Sequence, residues 1–129
     1  MTPQGNVEGV RRLFETYSRG DYDEAASCLD PDVVYEVGQE MPALGRAAVR
    51  AMWERWDSAW DAMETVPEEF LDVGDHVVVT VHYKARGRGS GIAYDERLFD
   101  VYTMRDGLCV RKAEFRDRAE ALQAAGTVP

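Results

Sequence analysis

Cysteine is scarce. The 129 residues hold two, Cys28 and Cys109, without the spacing of a disulfide framework or a metal site, which fits a reducing, cytoplasmic setting. Long apolar runs are missing. No stretch approaches the roughly 20 residues that cross a bilayer, so no membrane span is expected. The opening Met1-Thr2-Pro3-Gln4-Gly5 has neither a basic segment nor an apolar one, so no secretory signal is expected. Basic charge is also short, with 15 Lys and Arg against 24 Asp and Glu and a formal net charge of −9. That balance excludes nucleic acid and anionic membranes as partners, because phosphate contacts need a basic face. There is no metal-ligand spacing, glycine-rich phosphate loop or nucleophile motif, and no metal or cofactor is expected.

What remains is the composition of an ordinary globular chain, 45% apolar and 30% charged, with a length that suits one domain over residues 1–129. Asn6 reads as an N-cap. Val10, Leu13, Phe14 and Tyr17 then recur at helical spacing until Gly20. Asp21 and Glu24 form a capping box for a short second helix, which Asp30-Pro31 ends. Val33 to Val37 reads as a short strand and Gly38 to Leu44 as a loop. The longest helix is expected from Arg46 to about Met63, with Val49, Met52, Trp53, Trp56 and Trp60 on one face. That tryptophan stripe is either core packing or the wall of a pocket for a flat apolar ligand.

From Thr65 the pattern changes to strands. Thr65 to Val73 is the first, with Pro67 marking an edge or bulge. His76 to Arg86 follows, with Val77, Val79, Val81, Tyr83 and Ala85 as its inward row. Ile92 to Met104 and Leu108 to Arg116 form a hairpin about Asp106-Gly107. Asp117 and Glu120 cap a last short helix that Gly126 ends. The fold class is α+β: a cone-shaped, strongly curved mixed or antiparallel sheet, three helices on its concave face and a short C-terminal helix.

Asp100 is the residue of most chemical interest. Strand alternation puts it in the row of Tyr94, Leu98, Tyr102 and Met104, the more apolar row and hence the core face. The opposite row, with Phe99 and Val101 beside Val78, Thr80 and His82, is apolar enough to call for a cover. A second copy of the chain is the simplest one, which predicts a homodimer through the outer sheet face. The last strand is ambiguous. If its even row faces in, Lys112, Glu114 and Arg116 form a charged ladder beside Asp100; if its odd row does, the ladder is solvated surface.

Several strings, among them Arg19-Gly20-Asp21, Leu29-Asp30-Pro31-Asp32-Val33, Gly45-Arg46-Ala47-Ala48-Val49 and Arg105-Asp106-Gly107, resemble the SnoaL-like branch of the nuclear transport factor 2-like superfamily. The resemblance implies a cone-shaped pocket that hosts cyclases, isomerases, dehydratases, hydrolases and non-catalytic binding modules, often as dimers. Asp100 is similar in position to the protonated aspartic acid of ketosteroid isomerase, and Glu114 to an acid of limonene epoxide hydrolase. Leu13 stands where the isomerase has its oxyanion tyrosine, and Val37 near its general base, so the isomerase site is not intact. The hydrolase's Arg-x-Asp partner is absent too. The resemblance favours the even row of the last strand facing inward.

The expected activity is therefore cofactor-independent acid–base chemistry on a small apolar or polycyclic molecule, as a cyclase, isomerase, dehydratase or hydrolase. Asp100 and Glu114 are the candidate catalytic residues. Phe14, Tyr17, Trp53, Trp56, Tyr83, Tyr102, Lys112 and Arg116 are the candidate substrate contacts. The alternative is a non-catalytic small-molecule-binding or dimerisation module.

Overall fold

The computed structural model describes residues 3–38 and 40–126. Along the chain run α1 (Pro3–Ser18), α2 (Tyr22–Ala26), β1 (Leu29–Tyr35), β2 (Ala43–Leu44) and α3 (Arg46–Ala59). Then come β3 (Trp60–Val73), β4 (His76–Gly87), β5 (Ala93–Arg105), β6 (Leu108–Phe115) and α4 (Arg118–Ala124). The strands form one sheet in the order β2-β1-β6-β5-β4-β3. Every pairing is antiparallel except β1 with β6, so the sheet is mixed.

One face of the sheet carries the main core. Val77, Val79 and Val81 of β4 are fully buried there, with Val10, Leu13 and Phe14 of α1 and Val49, Met52 and Trp53 of α3. The inward row expected for β4 is the buried one. The caps also follow local sequence. Asp21 Oδ1 accepts from the Glu24 amide at 3.2 Å, and Asp117 Oδ1 accepts from the Ala119 amide at 2.8 Å. Each oxygen satisfies an amide that the first turn of a helix leaves without a partner.

Four boundaries differ from the sequence expectation, most of them at residues with a partner distant in the chain. Asn6 is inside α1 rather than at its cap; it is buried and donates from Nδ2 to the Gly74 carbonyl at 3.4 Å. The first strand starts at Leu29, so Asp30-Pro31 is within it, because Leu29 pairs with Cys109 of β6. The sequence loop contains the short strand β2, paired with β1. The long helix ends at Ala59 instead of near Met63, and Trp60 starts β3 opposite Gly87. Arg88 explains that stop. Its amide donates to the Ala59 carbonyl at 2.9 Å, and its guanidinium donates to the Asp57 and Trp60 carbonyls and pairs with Asp61. A cation at the carbonyl end of a helix satisfies open acceptors and complements the dipole. Trp60 therefore leaves the helical stripe of Trp53 and Trp56.

The outer face has a cover within the chain. Val78 and Val101 are buried against Ala121 and Ala125, with Phe99, Phe115 and Leu122 packed around them. The apolar row that called for a second copy is thus closed over Val78 and Val101 by α4 and its C-cap residue.

The last strand follows neither simple alternation. Thr103 pairs with Arg111 and Met104 with Cys109, leaving Val110 as an extra residue in a bulge. A bulge shifts the facing of the residues beyond it, so Cys109 and Lys112 are both buried. Lys112 and Glu114 face inward, as expected for the even row. Arg116 does not. Its side chain is 79% exposed, with Glu96 at 4.0 Å, because β6 has ended at Phe115 and the chain turns toward the α4 cap.

Candidate active site

Three neighbouring strands build the site. Asp100 on β5 stands opposite Val79 on one side and Glu114 on the other, and Tyr102 stands opposite Lys112. Tyr83 comes from β4. The register thus gathers two carboxyls, an ammonium and two phenols where the inward rows of β4, β5 and β6 meet.

Asp100 is wholly buried. Its Oδ2 accepts a hydrogen bond from the Tyr83 hydroxyl at 2.6 Å and lies 3.9 Å from Lys112 Nζ. Its Oδ1 is buried with no hydrogen-bond partner among the described residues. Burial, with the neighbouring Glu114 carboxylate, pushes the Asp100 carboxyl up to about 6, opposed by the Lys112 ammonium and the Tyr83 hydrogen bond. Lys112 donates to Glu114 Oε2 at 2.6 Å and sits over the Tyr35 ring, 4.8 Å from its centroid. Burial works against the ammonium, but the two carboxylates outweigh it and hold Lys112 above its usual range. Burial drives the Tyr83 and Tyr102 phenols well above theirs, so both are neutral donors at ordinary pH.

Two chambers open beside this group. The inner one has a volume of about 30 Å³, room for a water or two. Its wall contains Phe14, Tyr17, Trp53, Tyr35, Tyr102 and Lys112, with Leu13 and Thr65 completing it. The outer one has about 190 Å³ and is walled by Trp60, Tyr94 and Leu98, with Glu40 and Glu114 as its charged residues. Trp56 and Tyr83 belong to both walls. Such a hollow, apolar with a few convergent polar groups, is the usual form of a small-molecule site.

The expected contacts Phe14, Tyr17, Trp53, Trp56, Tyr83, Tyr102 and Lys112 are thus brought together around the inner chamber, and Glu114 is at the outer one. Asp100 is in neither wall; it lies behind Tyr83, Lys112 and Glu114. Arg116 is outside the site. Sequence reasoning missed Tyr35, whose alternation with Val33 on β1 was the available signal. It also missed Glu40, which is in the loop between β1 and β2 and carries no local signal. Among the described residues no group of three or more His, Cys, Asp or Glu is placed to hold a metal ion.

The chain matches the family model for the SnoaL-like domain over residues 10–112. An uncharacterised protein of Mycobacterium tuberculosis strain H37Rv is 28% identical over 120 residues, which cover 89% of this chain and 91% of that one. Among solved structures, a nuclear transport factor 2-like protein of unknown function from Burkholderia pseudomallei superposes with a TM-score of 0.80 at 21% identity, covering 98% of this chain and all of that one. A candidate SnoaL-like polyketide cyclase from Jannaschia sp. CCS1 superposes with a TM-score of 0.78 at 23% identity, covering 98% and 94%. At these identities the structural likeness speaks to fold.

Proposed function

The chain belongs to the SnoaL-like domain family, and from that premise we propose that it is a cofactor-independent enzyme that moves a proton on a small apolar molecule held in the outer chamber. The observation that carries the reading is the placing of Glu114. Its carboxylate is in the wall of a largely apolar chamber, and the Lys112 ammonium donates to its Oε2 at 2.6 Å. Oε1 remains for a ligand. A carboxylate held by one oxygen at the wall of an apolar chamber is placed to act as a general base toward a C–H acid bound there.

In this reading Glu114 is the catalytic residue and takes the proton. Tyr83 adjoins the ligand from the wall between the chambers. Asp100 lines neither chamber and acts through Tyr83 and through the Lys112 it shares with Glu114, so it is a positioning residue that fixes the direction of the Tyr83 hydroxyl. Lys112 keeps both carboxyls buried without leaving either unpaired.

Ring opening of 5-nitrobenzisoxazole tests this without knowledge of the natural substrate. A base removes the C3 proton, the ring N–O bond breaks, and the electron pair leaves on the phenolate oxygen. General-base action contributes roughly 10²–10⁴-fold. The wild type is expected to accelerate the reaction at pH 8, and Glu114→Gln, checked for folding by circular dichroism, to lose at least 100-fold. Equal rates in the two would overturn the proposal and leave a binding module in its place.

A further inference from the structure

We propose that the outer chamber selects a small apolar cation, a protonated or quaternary amine on a compact hydrocarbon or aromatic body. This rests on the reading that the outer chamber is the ligand site, and it adds the charge class of the ligand.

The first ground is the wall. Trp56, Trp60, Tyr83 and Tyr94 all line the chamber. The Trp60 and Tyr94 rings stand 6.0 Å apart and tilted by 56°, forming a corner instead of a flat slab. Aromatic faces carry negative potential, and a cornered set of them is the recognised receptor for alkylated ammonium groups.

The second ground is charge. Glu40 and Glu114 are the charged residues in that wall: one follows β1, and the other is on β6, the strand paired with β1. The nearest buried cation, Lys112, belongs to the inner chamber and is shared between Glu114 at 2.6 Å and Asp100 at 3.9 Å. One ammonium between two carboxylates leaves the group with negative charge, not positive. The third ground is hydrogen-bond polarity. Tyr83 directs its proton away to Asp100, so what it offers the chamber is oxygen lone pairs, which accept from an ammonium N–H. An anionic ligand would meet two carboxylates and no cation of its own, and the net charge of −9 already steers cations toward the molecule.

The test compares benzyltrimethylammonium with its neutral carbon isostere neopentylbenzene, by tryptophan fluorescence titration at pH 8 and low salt. Hydrophobic transfer alone favours the neutral compound, so preference for the cation requires the chamber's charge and aromatic faces. The cation is expected to bind at least threefold tighter. Glu40→Gln should cut that preference severalfold, and Trp60→Leu should weaken the cation further. Tighter or equal binding of neopentylbenzene, or binding of neither, would overturn the proposal. Glu114-dependent ring opening of nitrobenzisoxazole alongside such a result would sink the ligand class alone. Cation preference without Glu114-dependent turnover would sink the catalytic reading alone.

Discussion

The Tyr83 hydroxyl donates a 2.6 Å hydrogen bond to Asp100 Oδ2, and Tyr83 lines both chambers while Asp100 lines neither. This division of labour follows from strand register. Asp100 is at the centre of β5, flanked by β4 and β6, and the longer side chains of Tyr83, Lys112 and Glu114 reach past it toward the hollow. A short acid at the middle of a sheet acts through its neighbours.

Tyr83→Phe removes the hydroxyl and leaves the ring. A buried hydrogen bond to a charged group is worth about 2 kcal/mol, so urea unfolding at pH 8 should show a loss of that order. The Asp100 carboxyl, deprived of a bond that favours its ionised form, should titrate higher still. An unchanged unfolding midpoint would contradict the bond's role.

Asp100 gives stability a pH dependence of definite sign. Its carboxyl rises from an ordinary 3.8 in the unfolded chain to about 6 in the folded one. Between those values the folded state holds the proton more tightly, so this group's contribution is full below pH 4 and is lost as pH rises through 6. Asp100→Asn lacks that slope. The stability of the variant minus that of the wild type should therefore climb between pH 4 and 6.5 and then level off, as read from denaturant midpoints at each pH. A flat difference, or one that falls, would contradict the assignment.

Lys112 is 2% exposed and serves two carboxyls. Lys112→Met preserves much of its bulk and abandons both charges in the interior. Breaking a buried pair by removing one partner costs roughly 3–5 kcal/mol. Thermal unfolding should show a large loss at pH 8 and a smaller one at pH 5, where Asp100 can take up a proton. A loss under about 1 kcal/mol at pH 8 would show that the ammonium is dispensable.

Ala121 of α4 is fully buried against the outer face. Ala121→Glu sets a charge against Val78 and Val101, and an unpaired buried charge is not tolerated. The helix should detach, lowering the melting temperature and exposing an apolar patch prone to self-association. Size-exclusion chromatography with light scattering reads the second effect. An unaltered melting temperature would mean that α4 is not the cover.

How much of this was legible in the sequence depended on the range of the interactions. The inward row of β4, the facing of Asp100 and the caps at Asp21 and Asp117 are local facts of alternation and side-chain reach. The end of α3 was not legible, because Arg88, 28 residues beyond Trp60, supplies the groups that stop it. Arg116 was misplaced because alternation does not mark where a strand ends, and β6 stops at Phe115 before the turn into α4. Asp100 was placed correctly on its face, but side-chain length decides whether a buried acid reaches a cavity, and alternation says nothing of that. Glu40 depends on a loop path that no periodicity encodes.

The most direct measurement is the rate of nitrobenzisoxazole ring opening by Asp100→Asn beside Glu114→Gln, both at pH 8 and both confirmed folded. With Glu114 at the chamber wall and Asp100 behind Tyr83, Glu114→Gln should fall to the uncatalysed background. Asp100→Asn should retain activity within about tenfold of the wild type, since it alters a positioning contact and not the base. The reverse result, with Asp100→Asn inert and Glu114→Gln active, would contradict the account.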